Sequence, residues 1–265
     1  MAKIGADLDH VVLLVPYDVL TNPPHWITDN FTLSAGGRHG DNKTENRLVL
    51  FQDGTYLEII AFINDDPEKR KGHWWDKPFG VVDFALTSSK PLDYDGIRQR
   101  LQSTGTGISY AEPKQGGRST GGHDIKWKVT FPEAVQRGNI PFFCEDISPR
   151  EWRVPITKES ATHPCGALGM AGITLDVKKE NFGRLADANA AVLDEESDKN
   201  GHYMLGAPNE VAKLSDPVLQ LQQATTDTGR DLQMTLVLQT SAGASRERIR
   251  ERVGDGEVRF DFKEV

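Results

Sequence analysis

The chain has 265 residues, 26% of them charged and 37% hydrophobic, and a formal net charge of −8. That length suffices for one large domain or two of ordinary size, and the composition is that of a globular protein. The acidic balance argues against sequence-independent nucleic-acid binding, and the longest apolar run is far short of a membrane span.

The first predicted element is LDHVVLLVP, from Leu8 to Pro16. A short apolar run bounded by Asp and Pro reads as a buried strand. His10 at its head is either a satisfied core histidine or a ligand directed into a cavity. GGRH, at Gly36–His39, then leads into NRLVLF, the turn QDG and TYLEIIAF. Alternation within TYLEIIAF places Tyr56, Glu58 and Ile60 on one face. A carboxylate in that apolar setting is costly unless paired or metal-bound. The paired glycines permit a tight backbone path beside a ligand, so Arg38, His39 and Asn46 are candidates for holding a carbonyl or carboxylate. GHWWDKPFG brings Trp74 and Trp75 together in a loop. Their indoles would suit an aromatic or apolar ligand, or would cap the core between modules.

GVVDFALTS repeats the buried-strand pattern. DYDGIRQRLQSTG reads as a helix, with Asp93 or Asp95 as its N-cap and Gly105 as its stop signal. GGRS, at Gly116–Ser119, precedes IKWKVTF, a turn ending RGN, and IPFFCED. This Gly-rich stretch reads as a loop with lid character, carrying Arg118, His123 and Trp127. PREWRVP offers Arg150 and Arg153, each able to grip an anion or a structural carboxylate bidentately. The breaker-rich ITKESATHPCGALG, with His163, marks a boundary around residues 155–168. Beyond it come the strand MAGITLDV, the helix FGRLADANAAVLD, and a closing strand pair, VLQLQQA and LQMTLVLQT, joined at Asp227-Thr228-Gly229. SRERIRERV reads as a charged helix and EVRFDF as a final strand. The recurring strand–helix–strand order points to tandem modules. Cys144 and Cys165 form no CxxC pattern, so reduced thiols and a cytoplasmic setting are expected, and MAKIGADLDH lacks the apolar stretch of a secretory signal. GxSxG, Walker and GxGxxG motifs do not occur.

The segments LDHVVLLV, GGRHGDNKTENRLVLFQDGTYLEIIAF, the second GGR and HPCGALGMAGI carry a family likeness. With them the sequence resembles the glyoxalase-like branch of the vicinal oxygen chelate superfamily. The resemblance implies an α+β fold of tandem βαβββ modules whose curved mixed sheets enclose a cavity. Residues 1–157 would form a domain of two modules and residues 168–265 a third, more divergent one. In that superfamily a first-strand His and a last-strand Glu bind a divalent metal, and two modules usually supply four ligands. Carried onto this chain, His10 and Glu58 take those places, and His163 is the candidate for a third ligand to zinc, manganese, nickel or iron. Counting along the second module puts Asp83 opposite His10 and Phe142 opposite Glu58, and the third module has Gly172 and Gln233 there. Only the first module keeps the pair.

The implied activity is proton transfer of the lyase or isomerase type, with a dioxygenase as a sub-case, on a small carbonyl-containing or aromatic metabolite. Glu58, His39 and His10 are the catalytic candidates. Arg38, Asn46, Trp75, Arg118, Trp127 and Arg150 are the substrate-binding ones. The alternatives are a metal-free acid–base enzyme and a metal-free protein that binds or sequesters a small molecule. A small-molecule substrate is the expected partner, without nucleic acid or membrane. Three modules leave one unpaired, which suggests either a homodimer or a module packed as an edge extension.

Overall fold

The computed structural model describes residues 6–120, 122–198, 200–225, 230–241, 243 and 247–265. The predicted turn Asp227-Thr228-Gly229 lies outside the described residues. The first module runs β1 (Asp7–Leu14), α1 (Tyr17–Thr21), α2 (His25–Thr28), β2 (Ser34–Arg38), β3 (Thr44–Leu50) and β4 (Tyr56–Phe62). A short α3 (Pro67–Arg70) follows. The second runs β5 (Gly80–Thr87), α4 (Tyr94–Ser103), β6 (Ser109–Tyr110), β7 (Lys114–Thr120), β8 (His123–Thr130), β9 (Pro132–Glu133) and β10 (Phe142–Asp146). After α5 (Arg150–Arg153) come β11 (Ala167–Val177), α6 (Lys179–Leu193), β12 (His202–Met204), β13 (Val218–Gln223), β14 (Leu232–Thr240), β15 (Ile249–Val253) and β16 (Gly256–Glu264).

These elements make the expected α+β fold, but among the described residues the modules share one curved, mixed, 14-stranded sheet rather than separate ones. In the first module β1 runs parallel to β4, and in the second β5 runs parallel to β10. The two opening strands, β1 and β5, pair antiparallel at the centre. That repeats further on, where β11 is parallel to β13, β14 is parallel to β16, and β11 and β14 pair antiparallel. The C-terminal part therefore differs from the single third module read from sequence. LQMTLVLQT does not close that module; it opens a further antiparallel pairing with β11 and runs parallel to β16, as β5 does with β1 and β10.

Two other elements differ from the sequence reading. SRERIRERV supplies β15 instead of a helix: Ile249, Glu251 and Val253 alternate with exposed arginines and pair with β16. The Gly-Gly-Arg segments are edge strands, β2 and β7, so the second is not the lid-like loop read from sequence. Asp93 does cap α4, its side chain accepting the Gly96 N–H.

One apolar core lies under the helices, where Ile97 and Leu101 of α4 meet Leu185, Ala188 and Val192 of α6 together with Leu8, Val11 and Leu13 of β1. The opposite face of the sheet carries a smaller cluster, including Val12, Leu14, Ile60, Phe62, Ala85, Phe142 and Cys144. Strand alternation distributes β1 between the two, with one interruption. The register against β5 shifts between Leu8 and His10, leaving Asp9 without a partner on β5. Such a bulge re-aims side chains locally. It puts Leu8 in the helix-side core while both Asp9 and His10 reach the concave side.

Candidate active site

The concave face holds a cavity of about 770 Å³. His10, Tyr56 and Glu58 come from its floor, as the alternation of TYLEIIAF predicts. Asn46 stands on the neighbouring strand β3. The edge strands β2 and β7 close over the top, where the Gly40 N–H donates to Gly117 O at 3.1 Å. Trp74, Trp75, Trp127, Phe131 and Phe142 form aromatic walls.

The Asp9 carboxylate is fully buried. Arg153 grips both of its oxygens, at 2.9 and 3.1 Å, and Arg150 donates to Oδ1 at 2.5 Å. Burial opposes the charge on Asp9, yet Arg153, Arg150 and the His10 hydrogen bond outweigh it and hold the carboxyl well below the usual range. An ionised carboxylate only accepts hydrogen bonds. His10 Nδ1, 2.6 Å from Asp9 Oδ2, therefore carries the proton. The lone pair of a neutral His10 is then on Nε2, which faces Glu58 Oε2 at 3.7 Å. The ring is held flat on Tyr56, centroid to centroid 4.7 Å, and edge-on to Phe142.

Glu58 is positioned from its other side. Asn46 Nδ2 donates to Glu58 Oε1 at 2.5 Å. The orientation of that amide follows from its oxygen, which accepts from the Gly37 N–H at 2.9 Å and from Arg118 Nη1 at 3.2 Å. His39 Nε2 lies 3.6 Å from Glu58 Oε1, while its Nδ1 is 2.6 Å from Thr44 Oγ1. Burial lowers the His39 pKa against the pull of Glu58, so this ring favours the neutral form.

The first Gly-Gly pair has its explanation here. A Cβ on Gly36 would overlap the Asn46 side-chain oxygen and backbone carbonyl. Gly36→Ala is expected to cost about 1–3 kcal/mol, the usual range for overpacking. It should also loosen Asn46 from Glu58. Chemical denaturation measures the first effect, and an unchanged midpoint would remove this account of the motif.

Arg38 lines the cavity but is half-exposed, 3.7 Å from Glu45. Trp75 lines it with its indole N–H turned away, donating to Asp83 Oδ2 at 3.2 Å. Arg118 lines it while donating to Arg153 O at 3.0 Å. His123 is outside, stacked on Trp152. Arg150 is also outside the wall: besides Asp9 it serves Asp146 at 3.2 Å and Gly54 O at 2.9 Å. Arg153 is the member of the pair that reaches the cavity, where its Nη1 donates to the Tyr56 hydroxyl at 2.7 Å. His163 lies behind the sheet. Its Nδ1 accepts from the Thr32 N–H and its Nε2 meets Leu50 O at 2.9 Å, so backbone partners occupy both ring nitrogens. Asp9 and the Tyr56 hydroxyl are functional groups that sequence reasoning did not single out; Arg153 was named there only beside Arg150, as a grip for an anion or a structural carboxylate. The adjacency of Asp9 to His10 was the available signal.

Strand pairing replaces the counted equivalences. His10 pairs across the centre with Ala85, and His10↔Tyr56 corresponds to Ala85↔Phe142. Ala85 therefore takes the place of His10 in the second module, and Cys144, two residues past Phe142, takes that of Glu58. Asp83 is no ligand; it is buried against Arg137 and Trp75.

Among the described residues, the donor atoms that gather within 4.8 Å of one another are those of Asp9, His10 and Cys144. They do not fit a metal ion well. The oxygens of Asp9 already face two guanidiniums and the His10 N–H. Burial pushes the Cys144 thiol far up, which keeps it protonated. A divalent ion held by these three groups would have one imidazole and no free carboxylate, against the several charged or neutral donors such sites require.

The Trp loop adds a measurable property. His73 is buried beside Trp74, Trp75 and Phe62, and burial lowers its pKa to about 4. A folded pKa below the unfolded value of about 6.5 means that the unfolded state binds more protons. Stability from this group is complete above about pH 6.5 and is lost as pH falls toward about 4. From about pH 7 to about pH 5 the loss is about 2 kcal/mol. His39 and His163, also lowered chiefly by burial, act with the same sign. Melting curves across that interval check it; a flat profile would contradict the buried neutral ring.

The model of the glyoxalase-like domain matches residues 8–192, which span both modules that build the cavity. This chain belongs to the glyoxalase-like domain family. It is thereby a member of the vicinal oxygen chelate superfamily. Among solved structures, this glyoxalase-like protein is similar to a hypothetical protein from Staphylococcus aureus, at 15% identity and a TM-score of 0.65, covering 97% of this chain and 100% of that one. It is also similar to a mutant 4-hydroxymandelate synthase from Streptomyces coelicolor, at 12% identity and a TM-score of 0.52, covering 89% and 71%. At such identities the likeness is one of fold. No curated protein matches the sequence. Among the described residues no helix is long and apolar enough to cross a membrane.

Proposed function

We propose that this glyoxalase-like protein is a metal-independent acid–base enzyme that moves a proton next to the carbonyl of a small, partly aromatic metabolite. The observation that carries this reading is the line Asp9–His10–Glu58. Asp9 fixes the tautomer of His10, and Nε2 opens toward a carboxylate that Asn46 holds still. In this reading His10 Nε2 takes the C–H proton, and Glu58 stabilises the imidazolium that forms. The negative charge moves to the substrate's carbonyl oxygen. The Tyr56 hydroxyl accepts from Arg153, so its own proton is available to meet that oxygen. Burial raises the Tyr56 pKa and keeps it a donor. The aromatic walls would hold a planar or apolar substrate body.

The test follows loss of C–H signal by NMR in heavy water, across a panel of carbonyl compounds with an exchangeable adjacent proton. Wild-type protein treated with a chelator is expected to catalyse exchange with at least one of them, and His10→Gln is expected to abolish it. Exchange that disappears on chelation and returns with one divalent ion per chain would replace this reading with the metal-dependent one.

A further inference from the structure

Arg118 is a buried cation, 7% exposed, in the wall of the cavity. Its two hydrogen bonds go to neutral oxygens: Nη1 donates to Asn46 Oδ1 at 3.2 Å and Nη2 to the Arg153 carbonyl at 3.0 Å. Nε has no partner among the described residues. A guanidinium carries five N–H donors and stays charged when buried. Burial works against that charge, while Tyr56 and Glu58 support it. Asn46 stands between Arg118 and Glu58, its oxygen toward one and its amide toward the other. Arg153, by contrast, is matched by Asp9 and Asp146. The cavity's other acids, Asp41 and Asp124, are exposed and already accept from the Lys43 N–H at 3.0 Å and the Ser119 hydroxyl at 2.6 Å.

Strand pairing gives the surroundings of this cation. Across the β7–β8 ladder Arg118 faces Ile125, Gly116 faces Trp127 and Lys114 faces Val129. Alternation puts these six on one face, and all six line the cavity. Gly116 leaves room for the Trp127 indole, since a Cβ there would lie 2.6 Å from its Nε1. The indole thus flanks the guanidinium two residues away along the strand, about 7 Å. Arg118 is also tied to both reacting groups of the proposed chemistry. Asn46 links it to Glu58, and Arg153, whose Nη1 donates to the hydroxyl, links it to Tyr56.

We infer that the substrate is a 2-oxo acid carrying an aryl group on a short alkyl chain, with its carboxylate on Arg118, its ring on Trp127 and its ketone oxygen at the Tyr56 hydroxyl. The inference rests on the acid–base reading for the ketone and adds the carboxylate and the ring. A buried guanidinium whose partners are neutral gains from an anion, because charge-assisted hydrogen bonds are about twice as strong as neutral ones. In 2-oxo-4-phenylbutanoate the carboxylate and the ring stand about as far apart as Arg118 and Trp127 do along the strands. The C3 protons, next to the ketone, lie between them.

The experiment is titration calorimetry of the full chain with 2-oxo-4-phenylbutanoate and with its primary amide, which keeps the shape and loses the charge. Wild-type protein is expected to bind the acid at least about tenfold more tightly, a difference of about 1.4 kcal/mol. Arg118→Gln is expected to bring the acid-to-amide ratio near one, and Arg118→Lys to keep part of the preference. A merely structural role for Arg118 would weaken both ligands alike and leave the ratio standing. Lys114→Met removes the exposed cation of the same face and is expected to retain the full preference. Arg118 supports Asn46, so its glutamine variant could unfold; the wild-type ratio and Lys114→Met then decide the matter. Four results overturn the inference: no binding of the acid by wild-type protein, equal binding of acid and amide, an undiminished preference in a folded Arg118→Gln variant, or a preference abolished by Lys114→Met. Binding is read apart from turnover. Preferential binding of the acid without C3 exchange in heavy water would sink the acid–base reading and leave the carboxylate site standing. Exchange of neutral 4-phenyl-2-butanone with no preference for the acid would do the reverse.

Discussion

Asparagine in place of Asp9 is expected to lower the unfolding free energy by about 3–5 kcal/mol, the cost of breaking a buried charge set by removing one partner. The magnitude follows from how the set is closed. Asp9 and Asp146 face Arg150 and Arg153 through contacts of 2.5–3.2 Å, and the Asp9 side chain is wholly buried. Removing one carboxylate charge leaves one guanidinium unmatched where water does not reach. Urea denaturation reads the loss directly. A companion Asp9→Asn/Arg153→Met double variant should recover part of it, because it removes the stranded cation as well. The pH dependence has the same sign as that of His73 and lies lower on the scale. Because the folded pKa of Asp9 is depressed, its contribution is present above the unfolded value of about 3.9 and is lost as pH falls toward the lower folded value. If the single variant loses less than about 1 kcal/mol, the four side chains are not the closed set described.

Activity should fall in the same variant by a separate route. Asparagine can offer its oxygen or its amide to His10 Nδ1, so the tautomer is no longer dictated. Refolding with glycerol or a stabilising salt can restore folded protein, but it cannot restore that choice.

The sequence shows the pieces of this site more clearly than their arrangement. His10, Glu58, His39 and Asn46 stand out because each is polar among apolar strands or beside a Gly-Gly pair, and the structure brings all four to one cavity. Strand alternation is local, so Tyr56 and Glu58 are correctly placed on one face. The bulge at Asp9 is not local. It depends on the register between β1 and β5, strands separated by some seventy residues, and no periodicity within LDHVVLLV announces it. The same reason hides the choice between Arg150 and Arg153: each has the right chemistry, and only the fold decides which one reaches Tyr56. His163 resembles a ligand by type and by its Pro-Gly surroundings, yet backbone atoms 113 and 131 residues away occupy its ring. The C-terminal strand order is missed for another cause. The charged pattern of SRERIRERV fits both a helix and a solvent-facing edge strand, and its Ile249–Val253 part is the strand β15.

Glu58→Gln is expected to reduce proton exchange at least about a thousandfold while leaving the fold intact. At 3.7 Å, with an effective dielectric of about 20, the attraction between a Glu58 carboxylate and a His10 imidazolium is about 4 kcal/mol. That attraction exists only once the proton has moved to His10, so its loss falls on the transition state and lowers kcat, with little change in KM. Glutamine keeps the shape of the side chain. Its oxygen can still accept from Asn46 Nδ2, and its amide can donate to His10 Nε2, so no buried polar group is stranded. Stability is therefore expected to be unchanged or higher, as when a functional charge is removed from an interior. The structural alternative makes the reverse prediction. Were Glu58 chiefly the counter-charge to Arg118, the substitution would leave that guanidinium unmatched, lower the melting temperature and spare exchange. Parallel measurement of exchange rate and melting temperature separates the two, and a destabilised but fully active variant would take Glu58 out of the chemistry and leave His10 without its partner.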